Sequence, residues 1–147
     1  MITPLTEPYT ETQLKSILHP LINQWFFSKF KEFSLPQLFG VMEIHSRRNI
    51  LISAPTGATK TLTGFLAILN ELVDSAKKGI LEEQVYCVYV SPLKALNQDI
   101  AINLLAPLKE MEELAEAGAG GNAGNAWGNS GSTKLGIRVG VRTGDTT

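Results

Sequence analysis

The eight residues from Ala54 to Thr61, Ala-Pro-Thr-Gly-Ala-Thr-Lys-Thr, constrain this chain more than any other stretch. Residues 49–53 before them are apolar and rich in β-branched side chains, which predicts a buried strand. After them, apolar residues recur at helical spacing from Leu62 to Val73, which predicts a helix that begins at about Lys60. A strand, a turn of small residues and a helix that opens with Lys-Thr form the context of a phosphate-binding loop.

Such a loop favours an anion for a simple physical reason. Successive backbone N–H groups and the positive end of the helix dipole point at one place. In this pattern Lys60 would contact the β- and γ-phosphates of a nucleotide, and the Thr61 hydroxyl would ligate the bridging Mg²⁺. The residues that we predict to bind the nucleotide here are Thr56, Gly57, Ala58, Thr59, Lys60 and Thr61.

Thr59 departs from the usual pattern, which has glycine immediately before the lysine. Glycine lets the backbone come close to phosphate, whereas a β-branched side chain adds bulk and narrows the accessible φ/ψ range. Local backbone strain alone would cost about 1–3 kcal/mol, or roughly tenfold to a hundredfold in affinity. A direct clash with phosphate would cost more. Two interpretations therefore stay open, a weakened nucleotide site and a structural relic of the same fold.

The composition indicates one ordinary soluble domain. The chain has 147 residues, of which 44% are hydrophobic and 18% charged, and its net charge of −1 gives no global basic field for nucleic acid. A local groove needs only a few positioned donors, so nucleic acid stays a candidate partner. The single cysteine, Cys87, lies in an apolar run and is interpreted as a small core residue. No signal peptide or membrane-spanning stretch is indicated, so we expect a cytoplasmic protein.

Residues 1–48 are predicted to form a helical lead. Thr10 and Gln13 have the spacing of a capping box, and Pro20 should divide the helical stripe that follows. Ser34 and Gln37 have the same capping spacing at the start of a further helix. Gln37 has two interpretations, a capping partner and a side chain that contacts the adenine of a nucleotide.

The second half of the chain alternates between the two kinds of element. Residues 84–90 are nearly all apolar and predict a second strand, and Ser91-Pro92 is typical of a helix start. Pro107 should end or kink that helix. Residues 118–133 are rich in glycine, alanine, asparagine and serine, which predicts a flexible insertion, and residues 135–142 predict a third strand.

This order of elements predicts an α/β fold. Strand, helix, strand, helix and strand form half of a doubly wound parallel sheet with right-handed crossovers. Ligands of such sheets lie beyond the carboxyl ends of the strands. The phosphate-binding loop, Ser91-Pro92 and Thr143-Gly144-Asp145 would all lie at that edge.

Several motifs together resemble the beginning of a superfamily 2 helicase, and within it the large helicase-related (Lhr-like) group. The resemblance covers almost the whole chain except the glycine-rich insertion. The segments that carry it are Leu18-His19-Pro20, Trp25-Phe26, Phe30, Gln37, Ala54-Pro55-Thr56-Gly57, Lys60-Thr61-Leu62, Ser91-Pro92-Leu93-Lys94-Ala95-Leu96-Asn97 and Val141-Arg142-Thr143-Gly144-Asp145-Thr146.

The resemblance implies ATP-driven movement along DNA or RNA by two RecA-like domains. Residues 49–147 would be the first part of the ATP-binding RecA-like domain, which would use ATP and Mg²⁺. Gln37 would recognise adenine, and Gly57, Lys60 and Thr61 would hold ATP and magnesium. The positions that match nucleic-acid-binding motifs of the family are Ser91, Pro92, Lys94, Asn97, Gly144 and Asp145.

The sequence also lacks parts that the resemblance leads us to expect. An acidic Walker B motif should follow the Thr-Gly-Asp stretch, and the sequence ends before it, as it does before a second motor domain. We therefore expect an N-terminal fragment with no catalytic residues of its own, which should not hydrolyse ATP efficiently alone. The alternative is a non-hydrolysing module that binds nucleotide or nucleic acid. A small-molecule kinase would leave the motifs at 91–97 and 143–145 unexplained.

Overall fold

The structure, a computed structural model, describes residues 1–55, 59–91, 99–118 and 135–142. Helices dominate these ranges, and they pack around one apolar core. In chain order they are α1 (Glu11–Ile17), α2 (Pro20–Lys29), α3 (Leu35–His45), α4 (Thr59–Lys77), a π-helical turn (Ala101–Leu105) and α5 (Ala106–Gly118).

The first two helices begin where the sequence predicts. At α1 the backbone N–H of Gln13 donates to Thr10 Oγ1 over 3.1 Å, and the N–H of Thr10 donates to Gln13 Oε1 over 2.8 Å. This reciprocal pair satisfies N–H groups that have no partner within the helix, and it confirms the predicted capping box. Pro20 is the first residue of α2, so the predicted division of the stripe is also confirmed.

The core is formed by apolar side chains from all of the helices together with residues near them in the sequence. Phe26 and Phe33 stack with their ring centroids 4.6 Å apart, which fixes the connection between α2 and α3. The buried apolar side chains of the helices are Leu14, Leu21, Ile22, Trp25, Phe26, Val41, Leu62, Phe65, Leu66, Ala67, Leu69, Val73, Leu108 and Met111.

Helices α3 and α4 pack closely and run in the same direction. A Cβ atom built on Gly40 would lie 2.8 Å from Thr63 Cγ2, so only glycine allows this approach without displacement. Further along, the guanidinium of Arg47, which lies two residues beyond the end of α3, pairs with the carboxylate of Glu71 in α4. Because both contacts advance together along the chain, the N-terminal ends of α3 and α4 lie on the same side of the pair.

The C-terminus of α3 turns the chain toward residues 49–54, which precede the predicted phosphate-binding loop. The N–H of Arg47 donates to the carbonyl of Ile44 and the N–H of Arg48 donates to that of Glu43, each over 3.0 Å. Arg47 has φ of +62°, the left-handed conformation that this C-terminal motif requires and that glycine usually supplies. The motif sets the direction in which residues 49–54 leave the helix.

The predicted strands are not found in the part of the chain that the structure describes. Residues 49–53 and 84–90 do not form strands, and in 135–142 only Arg138 makes an isolated β-bridge. Val85, Val88 and Val90 are 75–83% exposed, so the predicted burial of 84–90 is wrong, as it is for the exposed Cys87. Strand propensity supplies no hydrogen-bond partner, and a strand forms only where a neighbouring strand provides the partners of its backbone N–H and C=O groups. The parallel sheet stays a prediction.

The π-helical turn Ala101–Leu105 runs directly into α5. The N–H of Ala106 donates to the carbonyl of Ala101, five residues earlier, instead of the usual four. Pro107 follows at once and has no N–H to donate, so it disturbs the regular ladder at this point. The chain stays helical through Pro107 to Gly118, so the helix does not end at this proline, and a kink there stays a prediction.

Helix α5 is joined to α2 by one carboxylate. Trp25 Nε1 donates to Glu110 Oε2 over 2.6 Å, and Lys29 Nζ donates to Glu110 Oε1 over 2.9 Å. Leu108 and Met111 of the same helix are buried in the core. Within the described ranges, no helix combines the length and apolarity that a membrane crossing requires.

Candidate nucleotide-binding site

Lys60 lies in the first turn of α4, where the helix dipole is positive. Its ammonium Nζ donates to the backbone carbonyl of Ala54 over 2.7 Å, and its side chain is half-buried. This contact brings the lysine back over the start of the loop that precedes it. A phosphate group entering the loop would compete with the Ala54 carbonyl for the same ammonium.

The neighbours of Lys60 in the loop are described only on its helical side. Thr59 is exposed, and its carbonyl accepts a hydrogen bond of 2.6 Å from Thr63 Oγ1, while Thr61 is half-buried in the same turn. The predicted ligand residues Thr56, Gly57 and Ala58 lie outside the described residues. The roles of these residues in binding nucleotide, and that of Thr61 toward magnesium, stay predictions.

Gln37 lies in the first turn of α3 and is 2% exposed. Its Oε1 accepts a hydrogen bond of 2.8 Å from the backbone N–H of Ser34. The predicted capping role of Gln37 is therefore confirmed. Because α3 and α4 run parallel, Gln37 and Lys60 lie at the same end of the helix pair. Adenine recognition by Gln37 stays a prediction.

The residues predicted to contact nucleic acid are mostly outside the described ranges. Ser91 is half-buried at the end of the exposed segment 84–90. Pro92, Lys94, Asn97, Gly144 and Asp145 lie outside the described residues, so their role stays a prediction.

Sequence reasoning missed a polar cluster that joins the segment before α1 to α3. Glu43 is only 7% exposed, and its Oε1 accepts a hydrogen bond of 2.6 Å from the Tyr9 hydroxyl. Arg48 donates to the same carboxylate from Nε over 2.5 Å and from Nη2 over 2.9 Å. The hydrogen bonds from Arg48 and then from Tyr9 hold the pKa of Glu43 below its usual value. No local motif indicates the cluster, because Tyr9 lies 34 residues before Glu43 in the chain.

Asn70 is a second polar residue whose role the sequence analysis missed. It lies on the apolar side of α4 and is 3% exposed. Its Nδ2 donates to the carbonyl of Ile17 over 3.1 Å, at the corner between α1 and α2. An amide within an otherwise apolar helical face was the available signal, since a buried amide needs partners.

A cavity in another part of the described structure is separate from the predicted nucleotide-binding residues. A cavity of 580 Å³ lies between α4 and residues 81–89 and 136–142, with Phe65, Tyr89 and Leu104 among its lining. Its lining includes neither Gln37 nor Lys60. Among the described residues, no group of three or more histidine, cysteine, aspartate or glutamate side chains is arranged to hold a metal ion.

The region that contains the helix pair and the loop between them matches a known protein family. The family model of the DEAD/DEAH box helicases matches residues 36–134, which include α3, the loop and α4. The chain therefore belongs to the DEAD/DEAH box helicase family. This confirms the family resemblance that the sequence motifs indicated, and a family of this kind implies a RecA-like fold.

Particular relatives narrow the comparison to Lhr helicases. The chain is 46% identical over its whole length to the ATP-dependent helicase Lhr-Core of Methanothermobacter thermautotrophicus, and covers 16% of that protein. It is 44% identical over 99% of its length to Lhr-Core protein 2 of Thermococcus barophilus, again covering 16% of the relative. It is 30% identical over 95% of its length to the Escherichia coli Lhr helicase/uracil glycosylase, and covers 8% of it. The chain thus spans about one sixth of the Lhr-Core relatives. No solved structure matches it.

Proposed function

We propose that this chain is the ATP-binding portion of the first motor domain of an ATP-dependent DNA or RNA helicase. Lys60 contacts the β- and γ-phosphates of ATP, and Thr61 ligates the Mg²⁺ that bridges them. Gln37 recognises the adenine, and residues 56–59 supply backbone N–H groups to the phosphates. The RecA-like parallel sheet, formed by the strands that the sequence predicts, belongs to the same proposal.

The observation that carries this proposal is the parallel packing of α3 and α4. Close contact at Gly40 and the ion pair between Arg47 and Glu71 align the two helices. Their N-terminal turns, which hold Gln37 and Lys60, therefore lie on one side, as a nucleotide bound at both its base and its phosphates requires. The half-buried ammonium of Lys60 already contacts an oxygen, that of the Ala54 carbonyl.

We further propose that residues near the second and third predicted strands contact nucleic acid. Ser91, Pro92, Lys94 and Asn97 would bind the phosphate backbone of one strand, since the N–H groups at a helix start suit phosphate. Gly144 and Asp145 would lie near the same path. The names of the Lhr-Core relatives, ATP-dependent helicases, support this assignment.

Hydrolysis is assigned to the longer protein. The chain spans 16% of the Lhr-Core relatives, and we propose that acidic and arginine groups beyond this sequence complete the catalytic site. Thr59 favours the alternative, a module that binds nucleotide without turnover. Strong nucleic-acid-stimulated ATPase activity in a full-length protein with this sequence would contradict the alternative.

Calorimetry with Mg²⁺ and ATP tests the nucleotide site directly. Lys60→Ala should weaken ATP binding by about tenfold or more, because a charge-assisted hydrogen bond contributes about 1.5–3 kcal/mol. Lys77→Ala, at the exposed far end of the same helix, is the matched control and should bind ATP as the unmodified chain does. Equal ATP affinity in Lys60→Ala and the control would refute the site.

A further inference from the structure

Tyr9 lies along α3, with both ends of the residue fixed. Its backbone N–H donates to the carbonyl of Leu38 over 3.0 Å, and its hydroxyl donates to Glu43 over 2.6 Å. Leu38 directly follows Gln37 in the chain. Since an α-helix rises 1.5 Å per residue, the two contacts span about 7.5 Å of α3. The segment around Tyr9, which precedes α1, is therefore held in one register along the helix that carries Gln37.

Arg48 fixes the other side of the same carboxylate. Its backbone N–H donates to the carbonyl of Glu43 over 3.0 Å, and its Nη2 also donates to the Tyr9 hydroxyl over 3.2 Å. The guanidinium and the carboxylate form two hydrogen bonds, a geometry with little freedom to rotate. Glu43 thus holds the segment before α1 through Tyr9, and it holds the segment that follows α3 through Arg48.

The segment that follows Arg48 leads directly to Lys60. Ile52 lies against Gly40, because a Cβ atom built on that glycine would be 2.9 Å from Ile52 Cδ1. Ala54, two residues later, accepts the hydrogen bond from Lys60 Nζ over 2.7 Å. One buried carboxylate therefore connects the helix that carries Gln37 to the segment that carries the ammonium's partner.

We infer that the cluster of Tyr9, Glu43 and Arg48 is a positioning device, which fixes the helix that carries Gln37 relative to residues 49–54, whose last member supplies the carbonyl that Lys60 contacts. This inference rests on the proposed nucleotide site. The three residues act through α3 and residues 49–54, and none of them is proposed to contact the nucleotide. The cluster should therefore affect ligands that engage both ends of the site and spare ligands that engage the loop alone.

The test compares ATP with inorganic tripolyphosphate, each with Mg²⁺, by calorimetry on this chain. Tyr9→Phe removes the hydroxyl and leaves the Arg48–Glu43 pair, and Arg48→Lys keeps the charge and removes the two-pronged geometry. Both variants should bind ATP about 3- to 30-fold more weakly, the range expected for residues that act through others. Both should bind tripolyphosphate within about twofold of the unmodified chain, because only the loop engages it.

Tyr86→Phe is the matched control, since it also removes one tyrosine hydroxyl, which accepts from the N–H of Glu82 over 2.7 Å. It should leave both affinities unchanged. If Tyr9→Phe and Arg48→Lys weaken both ligands equally, or weaken neither while remaining folded by thermal unfolding, the positioning role is refuted. If the unmodified chain binds neither ligand, the nucleotide site itself is refuted and this inference falls with it. If the unmodified chain binds both ligands, the proposed nucleotide site stands, and unchanged binding in the variants then contradicts the positioning role alone.

Discussion

Asn70 Oδ1 accepts a hydrogen bond of 2.5 Å from the backbone N–H of His19, which lies 51 residues earlier in the chain. The same amide donates to the carbonyl of Ile17. These backbone groups lie at the corner where α1 ends and α2 begins, and α4 supplies their partner. Helix α4 and the corner between α1 and α2 are therefore joined by a polar contact as well as by the apolar core.

Replacing Asn70 with alanine should destabilise the chain by about 2–3 kcal/mol. The substitution leaves the N–H of His19 and the carbonyl of Ile17 without their side-chain partners, and an unsatisfied buried group costs about 1–3 kcal/mol. Urea unfolding measures the loss. Gln24→Ala, at an exposed position of α2, is the control and should stay within about 0.5 kcal/mol of the unmodified chain. A loss for Asn70→Ala no larger than this would show that water replaces the amide.

Two glycines in neighbouring helices should respond oppositely to alanine. At Gly40 the added methyl would meet Thr63 Cγ2 at 2.8 Å, and the stiff β-branched threonine cannot turn away easily. We expect Gly40→Ala to destabilise by about 1–2 kcal/mol, because overpacking outweighs the gain in helix propensity. At Gly64 nothing lies within 4 Å, so Gly64→Ala should stabilise by about 0.5–1 kcal/mol. Thermal unfolding of both variants checks the pair, and stabilisation by Gly40→Ala would contradict the close helix contact.

Thr59→Gly should tighten the binding of ATP with Mg²⁺. Glycine removes the β-branched side chain before Lys60 and lets phosphate approach the backbone more closely, and we expect affinity to rise by about tenfold, or about 1.4 kcal/mol. Calorimetry measures the dissociation constant. Urea unfolding of the same variant separates the lower helix propensity of glycine, which costs about 0.5 kcal/mol relative to threonine, from the effect on binding. Equal or weaker ATP affinity would mean that the Thr59 side chain does not obstruct the phosphate.

The Glu43 carboxylate should make stability depend on acid. Because its pKa is lowered in the folded chain by hydrogen bonds from Arg48 and Tyr9, its contribution is complete above the ordinary carboxyl pKa. The contribution is lost as the pH falls through the lowered folded value. The free energy of unfolding of Glu43→Gln should therefore be below that of the unmodified chain at pH 7, and the gap should narrow toward about pH 3. Urea titrations at both pH values measure the gap.

The exposed Glu7→Gln variant is the control for removing one negative charge from the chain. A gap for Glu43→Gln that is constant with pH, or that widens in acid, would contradict the lowered pKa of Glu43. A gap that stays constant with pH would also mean that Glu43→Gln lowers the free energy of unfolding through lost packing and not through lost ionisation.

The local features of this chain could be predicted from its sequence. The capping box at Thr10, the break at Pro20 and the start of α4 near Lys60 depend on residues a few positions apart, and each is confirmed. The strands could not be decided in this way, since a strand depends on a neighbour that sequence patterns do not identify. The segment 84–90 is apolar enough for a buried strand, yet in the described structure its valines are exposed.

In the candidate site, too, features that depend on local motifs could be predicted from the sequence, and contacts between distant residues could not. Motif spacing was sufficient to single out Gln37 and Lys60, and the parallel packing of α3 and α4 explains how two such distant residues come to the same end. The Tyr9 contact to Glu43 joins residues 34 positions apart. A tyrosine, a glutamate and an arginine at such separations are common on any protein surface, so only the fold reveals that they meet.

The π-helical turn at Ala101–Leu105 sets the rotational phase of everything that follows it in α5. A turn of this kind holds one residue more than a regular turn, and one residue corresponds to about 100° of rotation in an α-helix. Deleting one residue there would restore a regular helix and rotate Glu110 away from Trp25 and Lys29. A single irregular turn therefore decides which face of an acidic helix meets the aromatic corner of the lead.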